Sequence, residues 1–144
     1  MPTSASPYHY EPEVLATIFR SVKTIAVVGA SEQAHKASFS VIMHLQAYGY
    51  EVFAVNPRTS ATDIAGATVF PSLGAIEGRV DMVDVFRPSG ELLGVAQQAI
   101  AIGAKVLWAQ LAIYDDAAAE LAERAGLTVV MDRCPKIELP KLAL

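Results

Sequence analysis

Short apolar runs alternate with segments of helical periodicity along most of this chain, and that alternation constrains the fold more than any single motif. Residues 24–28 (TIAVV), 50–55 (YEVFAV), 81–86 (DMVDVF), 104–110 (AKVLWAQ) and 127–131 (LTVVM) are too short for helices and rich in β-branched and aromatic residues. Each reads as a buried strand. A further short strand ends near Phe70 in ATVFPSLGAI, where Ser72 is a candidate cap for a following helix. Between the runs, residues 38–48 carry Val41, Ile42 and Leu45 on one face and stop at Gly49, residues 89–102 stop at Gly103, and residues 115–125 stop at Gly126. Val14, Leu15, Ile18, Phe19 and Val22 recur at three- and four-residue spacing, so a helix over 11–20 should precede the first strand and cover the sheet. Residues 1–10, with Pro2, Pro7 and small polar residues, predict a loosely held arm.

Strands that are apolar throughout must be covered on both faces, which calls for a mainly parallel sheet with helices on either side. Right-handed crossovers then leave a doubly wound α/β sheet, Rossmann-like or flavodoxin-like, of five or six strands in one domain over residues 11–144. The 144 residues, 53% hydrophobic and 18% charged, supply a core large enough to need no disulfide or metal staple. Mean hydropathy is high at +0.35, yet no apolar run approaches the ~18 residues that span a bilayer. The start, MPTSASPYHYEPE, lacks a basic segment followed by an apolar one, and Cys134 has no second cysteine to pair with. Both point to the cytosol. A net charge of −4 argues against non-specific nucleic-acid binding, so an anionic partner has to be captured locally.

In sheets of this kind ligands sit beyond the carboxyl ends of the strands, where strand order reverses. The first strand runs into Gly29, Ala30 and Ser31 but lacks the second and third glycines of a dinucleotide fingerprint. A helix amino end near Ser38 offers unpaired N–H groups to an anion, Ala30 and Ser31 permit close approach, and Lys36 adds charge. The competing reading is structural: Gly29 makes the turn and Ser38 caps the helix. The second strand ends in Asn56, Pro57 and Arg58, with no acid before Asp63 to accept from a ribose 2′-hydroxyl. Arg58 instead suits a phosphate on a ribose, as in NADP or coenzyme A, unless it is simply a solvated loop arginine. The fourth strand ends in Phe86, Arg87, Pro88 and Ser89. Pro88 forms a stiff edge for a flat adenine, Arg87 can pair with a phosphate or with Asp84, and Ser89 caps the next helix. After the fifth strand Gln110 offers an amide to an extended ligand arm, while Trp108 belongs in the core.

Other chemistries find little support. His9, His35 and His44 are scattered without metal-ligand spacing, no nucleophile elbow is present, and Asp115 and Asp116 read as a helix start. A receiver-type flavodoxin-like domain would need an acidic pair after the first strand and an aspartate after the third, and neither is there.

Through the segments IAVVGAS, YGYEVFAVNPR, VDMVDVFRPS, IAIGAKVLWAQL and GLTVVMDRCPKIE, the chain resembles the stand-alone CoA-binding-domain family from about Lys23 to Glu138. That family is similar to the amino-terminal domain of the succinyl-CoA synthetase alpha subunit. The resemblance implies a Rossmann-like fold with coenzyme A at the strand carboxyl ends. It sets Gly29, Ala30 and Ser31 along the diphosphate with Lys36 and Ser38 near it, and Asn56, Pro57 and Arg58 facing the 3′-phosphorylated ribose. Phe86, Arg87 and Pro88 would border the adenine, and Gln110 the pantetheine arm. Ala112, in AQLA, stands where the family often has glycine. The synthetase reaction is not implied, because it needs a second domain with a phosphorylated histidine and a nucleotide-binding partner subunit. The expectation is a non-catalytic module that binds CoA or an acyl-CoA as a carrier or regulator, with a homodimer possible through an exposed apolar helix face. A small NADP-linked or acyl-CoA-using enzyme is the alternative. Cys134, beside Arg133 after the last strand, is a candidate redox thiol able to form a mixed disulfide with CoA; a small buried hydrophobe is the competing reading.

Overall fold

The apolar runs form the strands expected of them. In the computed structural model, which describes residues 6–144, these are β1 (Thr24–Val28), β2 (Glu51–Val55), β3 (Asp63–Ile64), β4 (Ala67–Phe70), β5 (Met82–Val85), β6 (Val106–Ala109) and β7 (Thr128–Val130). They make one sheet in the order β3-β4-β2-β1-β5-β6-β7, parallel at every pairing except β3 with β4. The helices are α1 (Pro12–Ser21), α2 (Ala37–Ala47), α3 (Leu92–Ala101), α4 (Asp116–Arg124) and α5 (Pro135–Glu138). The fold is a Rossmann-like doubly wound sheet.

The expected five or six strands become seven because β3 and β4 form a hairpin. Its two turn residues, Ala65 at φ 51° and Gly66 at φ 89°, are both left-handed, as a two-residue hairpin of matching twist requires. Alanine in the first of those positions carries no turn signal, so this strand was invisible in the sequence. With β3 set aside, β1 lies between β2 and β5, and the order is the Rossmann one. Flavodoxin-like order is excluded.

Alternate strand residues point to opposite faces. Ile25, Val27, Met82, Trp108 and Val130 pack with Phe19 of α1 and Ile42 and Leu45 of α2, while Ala26, Val28, Val83, Val85 and Leu107 pack with Leu92 and Ala96 of α3 and Ala118 and Ala122 of α4. Trp108 is fully buried, its indole Nε1 donating to the Arg133 carbonyl at 2.8 Å.

Two capping expectations change. Ser72 accepts from the Ala75 amide at 3.2 Å but caps only a single 3-10 turn. Ser89 caps nothing; its Oγ accepts from the Tyr114 amide at 3.0 Å, tying the β6 exit loop to the start of α3. Of the arm read as loose, residues 1–5 lie outside the described residues. Residues 6–10 make specific contacts: Tyr8 donates to Asp116 at 2.6 Å, the Tyr10 hydroxyl accepts from the Met131 amide at 2.8 Å, and Arg133 donates to the Tyr8 carbonyl. Among the described residues no helix is long and apolar enough to cross a membrane.

Ala112 has φ 66° in the loop after β6, and its amide donates to Asp132 Oδ1 at 2.7 Å. The left-handed conformation costs alanine about 1–2 kcal/mol relative to glycine, offset by glycine's greater unfolded-state freedom of roughly 0.5–1 kcal/mol. Ala112→Gly should therefore raise stability in urea by roughly 0.5–1 kcal/mol. A loss of stability would mean that the alanine sits there without strain.

Candidate functional site

β1 and β5 are neighbours at the point where strand order reverses, and the chain leaves both at the same end of the sheet. Gly29, at φ 86°, turns the chain off β1, and the amides of Gly29 and Ala30 donate to the Val55 carbonyl of β2 at 3.1 and 3.3 Å. Asn56 locks this junction. Its Nδ2 donates to the Ala30 carbonyl at 2.8 Å while its Oδ1 accepts from the amides of Arg58 and Thr59 at 2.8 and 3.2 Å. Both ends of the Asn56 amide are thus spent on the two loops, which holds Arg58 in place.

The other side of the turn is the amino end of α2. Ser38 is buried, and its Oγ accepts from the Ser31 amide at 3.0 Å, so it supports the turn from beneath and does not cap the helix. The N-cap residue is Lys36, whose side chain makes no capping bond. Phe39 and Ser40 return their amides to the Lys36 carbonyl at 3.1 and 3.5 Å. That leaves the Ala37 and Ser38 amides as the unpaired donors of an uncapped helix end, with a partial positive charge.

These pieces open onto a cleft with two lobes that share Gly29 and Ser31. The larger, about 460 Å³, adds Ala30, Asn56, Pro57, Arg58 and Arg87; the smaller, about 320 Å³, adds Lys36, Ala37, Ser38 and Phe86. Every residue singled out from the sequence lines it except Pro88, Gln110 and Cys134. Pro88 is exposed, outside the lining, at the start of the 3-10 turn before α3. Pro71, Ser72, Glu91, Val95 and Gln98 also line the larger lobe and were not anticipated. Glu91, Val95 and Gln98 follow an i, i+4, i+7 spacing, a signal that becomes readable once the orientation of α3 is known. A separate hollow of about 740 Å³, larger than either lobe alone and walled by Phe19, Tyr50 and Leu142 among others, lies at the opposite end of the sheet. Size does not decide between them: parallel crossovers aim helix amino ends at the carboxyl edge, so the unpaired amides of α2 face the two-lobed cleft.

Two expected side-chain roles are redirected. Arg87 does not pair with Asp84 but forks onto Glu91, Nε to Oε1 at 3.0 Å and Nη2 to Oε2 at 2.8 Å. Asp84 is fully buried in the centre of the sheet, and its partner is Gln110, which is only 5% exposed and turned inward. With the Gln110 amide oriented by its hydrogen bonds, Nε2 donates to the two Asp84 oxygens at 2.8 and 3.1 Å. Burial without a cation pushes the Asp84 carboxyl well above the usual carboxylate range. Asp81, just before β5, shows the opposite balance. Burial pushes its carboxyl up, but the Lys23 and Thr24 amides and the Arg79 guanidinium outweigh that and hold it below its ordinary value.

Cys134 is buried in the core on the α1 and α2 face and does not line the cleft. The Arg133 guanidinium is occupied elsewhere, donating to the carbonyls of Tyr8 and Asp132 and lying 5.3 Å from the Tyr10 ring centroid. The thiol thus has the surroundings of a small core hydrophobe. Among the described residues no three His, Cys, Asp or Glu side chains converge closely enough to hold a metal ion.

A doubly wound parallel sheet with a cationic cleft at its switch point places the chain among the Rossmann-like α/β proteins. It belongs to the CoA binding domain family, which it matches over residues 23–140. The uncharacterized protein YneT of Bacillus subtilis (strain 168) is 38% identical to it over 120 residues, 83% of this chain and 87% of that protein. A hypothetical protein from Pyrococcus horikoshii OT3 superposes with a TM-score of 0.89 at 32% identity, covering 99% of both chains. The dinucleotide forming acetyl-coenzyme A synthetase 1 of Ca. Korarchaeum cryptofilum has a TM-score of 0.63 at 25% identity, matching 74% of this chain but 25% of the synthetase.

Proposed function

We propose that this chain binds coenzyme A or an acyl-CoA in the cleft at the carboxyl ends of β1, β2 and β5, as a non-catalytic binding, carrier or regulatory module. The observation that carries the reading is convergence: the uncapped amino end of α2, the small-residue turn 29–31, Arg58 and Arg87 all face one cleft. CoA presents a diphosphate and a ribose 3′-phosphate, and these donors fit both. The Ala37 and Ser38 amides with Lys36 serve the diphosphate, Arg58 the ribose phosphate, and Pro57 and Pro71 offer apolar edges to the base. When bound, CoA supplies a thiol for carrying acyl groups. Ser31, Ser38 and Ser72 line the lobes with their hydroxyl oxygens accepting backbone amides, and Glu91 is held by Arg87, so none of these hydroxyls is paired with a base, which favours binding over catalysis.

Calorimetric titration with CoA, acetyl-CoA, dephospho-CoA, NADPH and NADH tests this. CoA or acetyl-CoA should bind, and dephospho-CoA more weakly. Arg58 is exposed, so Arg58→Ala should leave the melting temperature unchanged while weakening CoA about 10- to 100-fold, the range for losing a charge-assisted phosphate contact. A preference for NADPH would favour the enzyme reading instead, and no binding of CoA would overturn the proposal.

A further inference from the structure

We infer that Glu91 sets the affinity of the cleft: its carboxylate occupies the Arg87 guanidinium as a ligand phosphate would, so binding exchanges an internal carboxylate for an external phosphate. The inference rests on the reading that the cleft takes a phosphate-bearing ligand. Three observations carry it. The two side chains meet in a two-bond fork, the geometry by which arginine also grips phosphate, and both line the larger lobe. The Arg87 stem is laid across the turn after β1, so close that a Cβ on Gly29 would stand 2.9 Å from Arg87 Cδ. The stem is thus packed against the turn, while the half-exposed guanidinium stands in the lining of the larger lobe, open to a ligand. Arg58 stands on the same lobe, near enough to act on Glu91: the Arg87 hydrogen bonds first, and the charges of Arg87 and Arg58 after them, hold the Glu91 carboxyl below its ordinary value. Glu91 is thus an anion at neutral pH, set among the cations that the ligand needs.

A phosphate monoester carries up to two charges and three acceptor oxygens against one charge and two oxygens for a carboxylate, so the ligand wins the arginine. Glu91 nonetheless opposes it, by holding Arg87 and by repelling the incoming anion. As a bare structural element the pair contributes little, since an exposed i, i+4 ion pair is among the weaker stabilising contacts. Its effect should appear in affinity and not in melting temperature.

The test is calorimetry with CoA on the wild type, Glu91→Gln, Arg87→Ala and the double variant, at low and at high salt, with a thermal melt of each. Glu91→Gln should bind CoA about three- to tenfold more tightly at low salt, with the gain shrinking as salt screens it. The gain should vanish in the Arg87→Ala background. Unchanged or weaker binding by Glu91→Gln, or a gain that persists without Arg87, would overturn the exchange. Should the wild type bind no CoA, the function proposed above fails, and inorganic pyrophosphate decides the present inference alone: tighter binding by Glu91→Gln sustains it, equal or weaker binding rejects it.

Discussion

Gly29→Ala is expected to lower stability by about 1–3 kcal/mol and to weaken CoA binding by more than about tenfold. Two costs add at this position. Gly29 sits at φ +86°, which an L side chain resists. A Cβ there would also stand 2.9 Å from Arg87 Cδ, 3.3 Å from Arg87 Cγ and 3.3 Å from the Phe86 carbonyl carbon. The arginine stem can swing, but that pulls on its fork onto Glu91 and shifts the guanidinium in the cleft lining. The Phe86 backbone, which donates to the Val28 carbonyl at 2.8 Å, has little room to yield. So the turn moves, and it pulls on Ser38 at the amino end of α2, whose Oγ accepts from the Ser31 amide at 3.0 Å. Urea unfolding and calorimetry on one preparation would measure both effects. Gly94→Ala is the control: that glycine lies within α3, a Cβ would meet nothing within 4 Å, and alanine there should be neutral or stabilising by about 0.5–1 kcal/mol. Wild-type stability and affinity in Gly29→Ala would refute the role assigned to this turn.

The second large effect is a pH dependence that Asp84→Asn abolishes. Burial raises the Asp84 pKa in the folded state above the ordinary value of about 3.9 that applies in the unfolded chain. Between those two values the folded protein holds the proton and the unfolded one has released it. Stability is therefore fully present below about pH 4 and falls as pH rises towards the raised folded pKa, with a slope of up to about 1.4 kcal/mol per unit, becoming flat beyond it. Asparagine keeps the shape without the charge. Asp84→Asn should remove this slope and, above the folded pKa, stabilise the protein by roughly 1–3 kcal/mol, the scale of an uncompensated buried polar group. Urea unfolding of both proteins from pH 4 to pH 9 provides the comparison. Parallel curves would mean that the two Gln110 hydrogen bonds accommodate the carboxylate without penalty.

Much of the lining of the candidate site was legible before the fold was known. Gly29, Ser31, Arg58, Arg87 and Lys36 could be placed on one edge because each follows an apolar strand or precedes a helix, and parallel topology brings such points together. What each side chain does there was less accessible. Asn56 was read as facing a ribose, but its amide is consumed in bracing two loops. Gln110 was read as facing a ligand arm, yet it turns inward because the only buried carboxylate on that face of β5 lies beside it. The role given to Arg87 named the wrong internal partner because Asp84, three residues back, points into the sheet, whereas Glu91, four residues on, shares the cleft.

Periodicity and apolar run length are properties of neighbouring residues, and they sufficed for the parallel sheet, its helical cover and the edge at which the strand-end residues gather. Strand order, the β3–β4 hairpin and the pairings of Arg87 and Gln110 were settled only by tertiary structure. The reason is that hydrogen-bond choice and desolvation depend on which surfaces meet after packing, and residues far apart along the chain acquire that relation only when the sheet closes over its two cores.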